Sequence, residues 1–263
     1  MVANSRCLKV SCVRFCCELI QQFELISVTA TIFRLFAPVR TSFFGGCLRA
    51  LVCVCALVSI GLAVHSAANL DALQQSFQQR WGVPELPKFE AWRKLLTVSS
   101  EGSDLDRLKK INTFFNQQIR FGEDSTIWNQ PDYWATPLET LGRSSGDCED
   151  FSIAKYFSLL QVGVQPDKLR LIYVRAKTGT SDATQAHMVL AYYATPDAEP
   201  LVLDNLISDI RPASRRPDLV PVFSFNSTGV FTGIAGGGAA AAGTGRLSRW
   251  EDLLRRTKAE GFD

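Results

Sequence analysis

The run Gly146-Asp147-Cys148-Glu149-Asp150 sets one thiol among three carboxylates. A thiol reacts as its thiolate, and nearby negative charge opposes that ionisation. Asp147 suits a helix N-cap, which puts Cys148 in the first turn. There the helix dipole and unpaired amides favour an anion and can hold an oxyanion; an aromatic loop residue such as Trp134 could add to that hold. A thiol nucleophile needs a base, and from residue 69 on the only histidine is His187. The base needs an orienting acceptor, and Asp204 ends the segment "LVLDN". His187 opens one expected strand and Asp204 closes the next, so antiparallel pairing sets them side by side. Cys148, His187 and Asp204 have the parts of an activated-thiol triad. Taken singly, each has a plainer role: a packing thiol, a structural imidazole, a turn carboxylate.

The acids around Cys148 need their own account. Asp147 and Glu149 flank the thiol in sequence, so their side chains are expected to point away from it around the helix. Carboxylates crowded at one helix start are a partial oxygen set for a hard cation, and calcium takes six to eight oxygens. The loop before them offers Asn129, Asp132 and backbone carbonyls. The alternative is a cap with two acids that complement the helix dipole. One cysteine and one histidine are too few for a zinc site, and no G-x-S-x-G elbow marks a serine hydrolase.

Helices must carry the thiol and strands the base. Leu70, Leu73, Phe77 and Trp81 recur at helical spacing, and Phe89, Trp92, Leu95 and Leu96 continue the pattern. Ser103 or Asp104 can cap a third helix with Leu105, Leu108, Ile111, Phe114 and Phe115 on one face. Residues 120–146 form a long polar segment, expected as a functional loop. Residues 147–163 predict a fourth helix, apolar nearly all round and therefore central. The period then changes to two: 168–176, 186–194 and 200–206 predict an antiparallel meander, with 221–231 as a further strand pair. "GIAGGGAAAAGTG" is a linker, and Leu247, Trp250, Leu253 and Leu254 mark a terminal helix. The fold class is α+β: helices first, then an antiparallel sheet packed on a buried helix.

The chain has 263 residues and a net charge of +2. Residues 1–50 hold six Lys/Arg and two Asp/Glu, and 51–68 hold neither, so 22 bases and 24 acids of the 28 and 26 remain from residue 69 on. A mildly acidic body gives no reason to expect nucleic acid as a partner. Seven of the eight cysteines lie before residue 56, so the body has no internal disulfide. Arg49 and the apolar run Ala50–Val64 read as an export signal, with Ser66 and Ala68 at the small positions of a cleavage site. An uncleaved membrane anchor is the alternative. The expected organisation is an N-terminal extension and signal over 1–68, a folded domain over 69–228, and a linker with a short helix over 229–263.

"GDCEDFSIAKYFSLLQVG", "AHMVLAYY" and "LVLDNL", in that order, resemble the bacterial transglutaminase-like cysteine proteinases of the LapG type. So does "WNQPDYWATPLETLGRSSGDCED". The resemblance covers about residues 70–225 and implies a transglutaminase/papain-like fold and a periplasmic endopeptidase. It implies cleavage of a large repeat adhesin near its N-terminus, at an Ala-Ala-type site, which releases the adhesin and promotes biofilm dispersal. It implies Cys148 as nucleophile, His187 as base and Asp204 as its orienter. It also implies calcium dependence, with Asp147 and Glu149 as ligands and Asp150 as the third metal candidate. The implied partner is an inner-membrane cyclic-di-GMP receptor of the LapD type that sequesters the protease; a monomer or weak dimer is expected. The alternatives are a thiol acyltransferase on the same fold and a non-catalytic, calcium-dependent periplasmic binding module.

Overall fold

The computed structural model describes residues 70–177, 183–232 and 248–262. The signal segment and the Gly/Ala-rich linker lie outside them. Helix α1 (70–81) buries Leu73 and Phe77. Gly82 stops it at φ 79, a left-handed conformation that favours glycine. Helix α2 (Leu86–Ser99) buries Phe89, Trp92 and Leu96. Helix α3 (Asp104–Gln118) starts at a reciprocal cap, in which Ser103 and Asp106 each bond the other's backbone amide. It buries Leu108, Ile111 and Phe115, but Leu105, expected in that stripe, is 49% exposed.

The polar segment that follows is more ordered than a loop. It holds β1 (Arg120–Phe121), α4 (Asp124–Ile127), α5 (Pro137–Arg143) and β2 (Ser145–Gly146). The two short strands pair in parallel, Arg120 with Ser145 and Phe121 with Gly146. This bridge brings α4 back to the start of the central helix α6 (Cys148–Gln161), whose residues Asp150 to Leu159 are all buried.

The six-stranded sheet comprises β3 (Leu169–Lys177), β4 (Thr184–Tyr192), β5 (Leu201–Leu203), β6 (Arg211–Pro212), β7 (Leu219–Asn226) and β8 (Gly229–Thr232). Its order is β6-β5-β4-β3-β7-β8, and every neighbouring pair is antiparallel. Leu169, Leu171, Met188 and Leu190 join the main core. Ile172, Val174, Val189, Ala191 and Val202 form a second cluster, as period-two alternation requires of a sheet apolar on both faces. Strand β5 pairs β4 only at Leu190–Tyr192. The earlier part of β4 therefore has one edge without a strand beside it.

Helix α7 (Ser248–Glu260) lies in the same core. Trp250 is fully buried against Tyr156, Phe157 and Phe225, at centroid separations of 5.8, 6.1 and 5.2 Å. Arg256 Nη1 donates to the buried Glu139 at 2.6 Å, and its Nη2 donates to the Trp134 carbonyl at 2.5 Å. The terminal helix thus holds the segment just before α5. Among the described residues, no helix is long and apolar enough to cross a membrane.

Candidate active site

Asp147 is the N-cap of α6; its Oδ1 accepts from the Glu149 and Asp150 amides at 3.2 and 3.4 Å. Asp150 answers from the third position, with Oδ2 accepting from the Asp147 amide at 3.4 Å. Its other oxygen accepts from the Ala135 amide at 2.7 Å. Asp150 is fully buried and ties the helix start to the segment before α5. Glycine is required at 146, because a Cβ there would lie 2.6 Å from the Asp150 Cβ. With the next two amides taken by Asp147, the Cys148 amide is the first-turn donor left for an oxyanion. Trp134 is buried and stacked on Phe225 at 5.7 Å.

Cys148 packs against β4 at Met188, whose backbone N–H favours the thiolate. Burial and the charges of Glu149 and Asp147 outweigh it and push the thiol well above its usual range. Glu149 does not point away from the thiol. Its Oε2 accepts the Cys148 S–H at 2.7 Å, because two methylenes let the carboxylate fold back onto its neighbour. Farther along the same helix face, Ser152 Oγ donates to the Met188 carbonyl at 3.1 Å, and Lys155 Nζ to the Asp204 carbonyl at 3.1 Å. Burial lowers the Lys155 ammonium to about 7 against the opposing Asp204 charge.

The structure brings His187 and Asp204 together. His187 Nε2 lies 2.8 Å from Asp204 Oδ1, and both residues are buried. Burial alone would raise the Asp204 carboxyl. The hydrogen bond and charge of His187, the Leu206 amide and Arg216 hold it down at about 2. An ionised Asp204 only accepts, so Nε2 carries the ring proton and Nδ1 is the basic nitrogen. Cys148 touches Met188, the residue that follows His187, at the part of β4 that has one edge without a strand beside it.

The carboxylates extend beyond the expected set. Ligand oxygens of Asp124, Asp147 and Asp150 lie within 4.8 Å of one another, and Glu149 stands beside them. Asp124, on α4, was not anticipated. Its Oδ2 accepts from the Tyr133 amide at 2.5 Å, while its Oδ1 is buried without a partner. Burial, then the charges of Glu149, Asp150 and Asp124, raise the Asp147 carboxyl to about 9. Acids this close repel one another unless a cation or protons intervene. An all-oxygen donor set with one orphaned buried oxygen fits a hard divalent ion such as calcium. Asp132 is drawn aside instead to Arg249, at 2.9 Å. Asn129, in the same segment, has a left-handed backbone, at φ 54.

The model of the family described as bacterial transglutaminase-like cysteine proteinase BTLCP matches residues 91–218. Legionella pneumophila LapG is 38% identical over 71% of this chain and 96% of its own, with a TM-score of 0.60. The chain belongs to the bacterial transglutaminase-like cysteine proteinases. An EGTA-treated LapG structure from the same organism matches over the same shares, at 38% identity and a TM-score of 0.62. A calcium-bound one covers 72% of this chain and 98% of its own, at 38% identity and a TM-score of 0.62. No curated protein matches the chain. As a member of this proteinase family, the chain has the LapG-type, transglutaminase-like fold that its antiparallel sheet and buried helix display.

Proposed function

We propose that the chain is a calcium-dependent periplasmic cysteine endopeptidase that cuts near the N-terminus of a large surface adhesin, releasing it and promoting biofilm dispersal. In this reading Cys148 is the nucleophile, His187 the base and Asp204 its orienter. The observation that carries it is the buried His187–Asp204 hydrogen bond, with the thiol at a helix start touching Met188, the next residue after His187. His187 Nδ1 takes the thiol proton, and the sulfur attacks a backbone carbonyl carbon. The Cys148 amide holds the oxyanion. His187 then gives its proton to the leaving amine, and water, deprotonated by His187, releases the acyl group from sulfur. Asp124, Asp147, Glu149 and Asp150 would hold the calcium. When bound, the ion offsets the negative charge that opposes the thiolate. The calcium-bound LapG relative supports the same reading. An inner-membrane cyclic-di-GMP receptor of the LapD type, sequestering the protease, belongs to the proposal.

The test is cleavage of a recombinant N-terminal adhesin fragment, with and without a primary amine. The wild type should give two hydrolysed pieces, and Cys148→Ala should give none while keeping its circular dichroism. Cleavage by Cys148→Ala would refute the nucleophile. Amine incorporated in place of water would make the protein an acyltransferase.

A further inference from the structure

Arg216 stands outside the thiol–imidazole–carboxylate set, in the segment that leads into β7. It is 2% exposed and lines a small cavity with Val174, Val189 and Val202 on the outer face of the sheet. Its Nη2 donates to Asp204 Oδ2 at 2.7 Å, with both side chains buried. The guanidinium also grips Asp218, from Nε at 3.0 Å and from Nη2 at 2.8 Å. Nη1 is buried with no partner. A buried ion pair costs desolvation that apolar residues of the same volume avoid, so it is a poor device for stability alone.

Its geometry has a sharper consequence at Asp204. One oxygen of that carboxylate meets His187 at 2.8 Å and the Leu206 amide at 3.1 Å, and the other meets Arg216. The main-chain carbonyl of Asp204 is held from the opposite side by Lys155 at 3.1 Å and Asn116 at 2.8 Å. Side chains from α3, α6 and the segment before β7 therefore fix this residue. Without Arg216, only His187 and one amide would set the rotation of the carboxylate.

We propose that Arg216 is a positioning residue of the proteolytic site, clamping Asp204 Oδ2 so that Oδ1 stays on His187 Nε2 and Nδ1 stays free as the base. The inference rests on the Cys148–His187–Asp204 reading. Two functions divide along the carboxylate: Arg216 sets its orientation and Oδ1 sets that of the imidazole. Arg216 reaches the thiol only through these two residues.

Iodoacetamide alkylation of Cys148 tests this in the full chain with calcium, read peptide by peptide at one fixed pH. Arg216→Met should slow alkylation ten- to a hundredfold, the scale of one charged hydrogen bond. Arg216→Lys should recover part of the rate. Asp204→Asn should slow it comparably, and the double variant should be no slower than Asp204→Asn alone. A purely structural arginine would lower thermal stability without that dependence on Asp204. A wild-type rate in Arg216→Met, or the same further loss in both backgrounds, overturns the proposal. If Arg216→Met does not fold, the Asp204→Asn pair with and without it decides: equal rates support the clamp and a further fall overturns it. A wild-type rate in Asp204→Asn instead overturns the triad reading itself, and the clamp with it.

Discussion

Glu149 and Asp150 show how far single letters carry. The pairing of His187 with Asp204 was legible because His187 is the only histidine from residue 69 on and antiparallel strands return the end of "LVLDN" to it. The direction of Glu149 was not, because a flexible side chain in a first turn can fold back on its neighbour. Asp150 reads in sequence as one more acid, yet its two oxygens meet amides from two segments. Asp124 was missed because only the parallel pairing of two-residue strands returns it to the cluster. Asp147 yields a pH prediction. Its carboxyl rises to about 9, above an unfolded value of about 3.9. The stability that comes from keeping it protonated is thus present below the unfolded value and lost as pH rises towards 9. In the proposed reading, bound calcium would relieve that loss by binding the ionised form. The thermal shift on adding calcium should therefore be larger at pH 8 than at pH 5, by scanning fluorimetry. Equal shifts would separate Asp147 from the metal.

The helices and long strands followed from period and capping, since Ser103 and Asp147 both cap as their types require. The polar segment was misjudged as a loop, and its second half carried a readable signal. Thr136 and Glu139 form a reciprocal cap, and Pro137 opens α5, a pattern visible in "TPLE". Lys155 was hidden for a related reason: a helix apolar nearly all round conceals the one face, Cys148–Ser152–Lys155, that runs along the β4 edge and the end of β5. The terminal helix, separated in sequence by a Gly/Ala-rich run, gave no sign that Trp250 enters the core or that Arg256 reaches Glu139. Trp250→Ala should cost about 3–5 kcal/mol of unfolding free energy, as large-to-small substitutions at a packed aromatic do. Urea unfolding measures it, and a loss below about 1 kcal/mol would mean that the helix contributes little to the core.

At the scale of the molecule, one buried helix sets a thiol against Met188 of β4, the sheet pairs His187 with Asp204, and a bridge of two short strands gathers acids beside the thiol. The charge balance gave no reason to expect a nucleic-acid partner and said nothing about where those acids would meet. Their meeting point turns hostile electrostatics into a proposed dependence on metal: the thiol is pushed up by burial, Glu149 and Asp147, and a bound cation would offset those two charges. The most direct test is the rate of Cys148 alkylation by iodoacetamide in the full-length protein, in calcium and in EGTA, with Asp124→Asn as the comparator. The account predicts rapid alkylation in calcium, slow alkylation in EGTA, and a higher calcium requirement in Asp124→Asn. A Cys148 that is unreactive in both conditions, or equally fast in both, would contradict it.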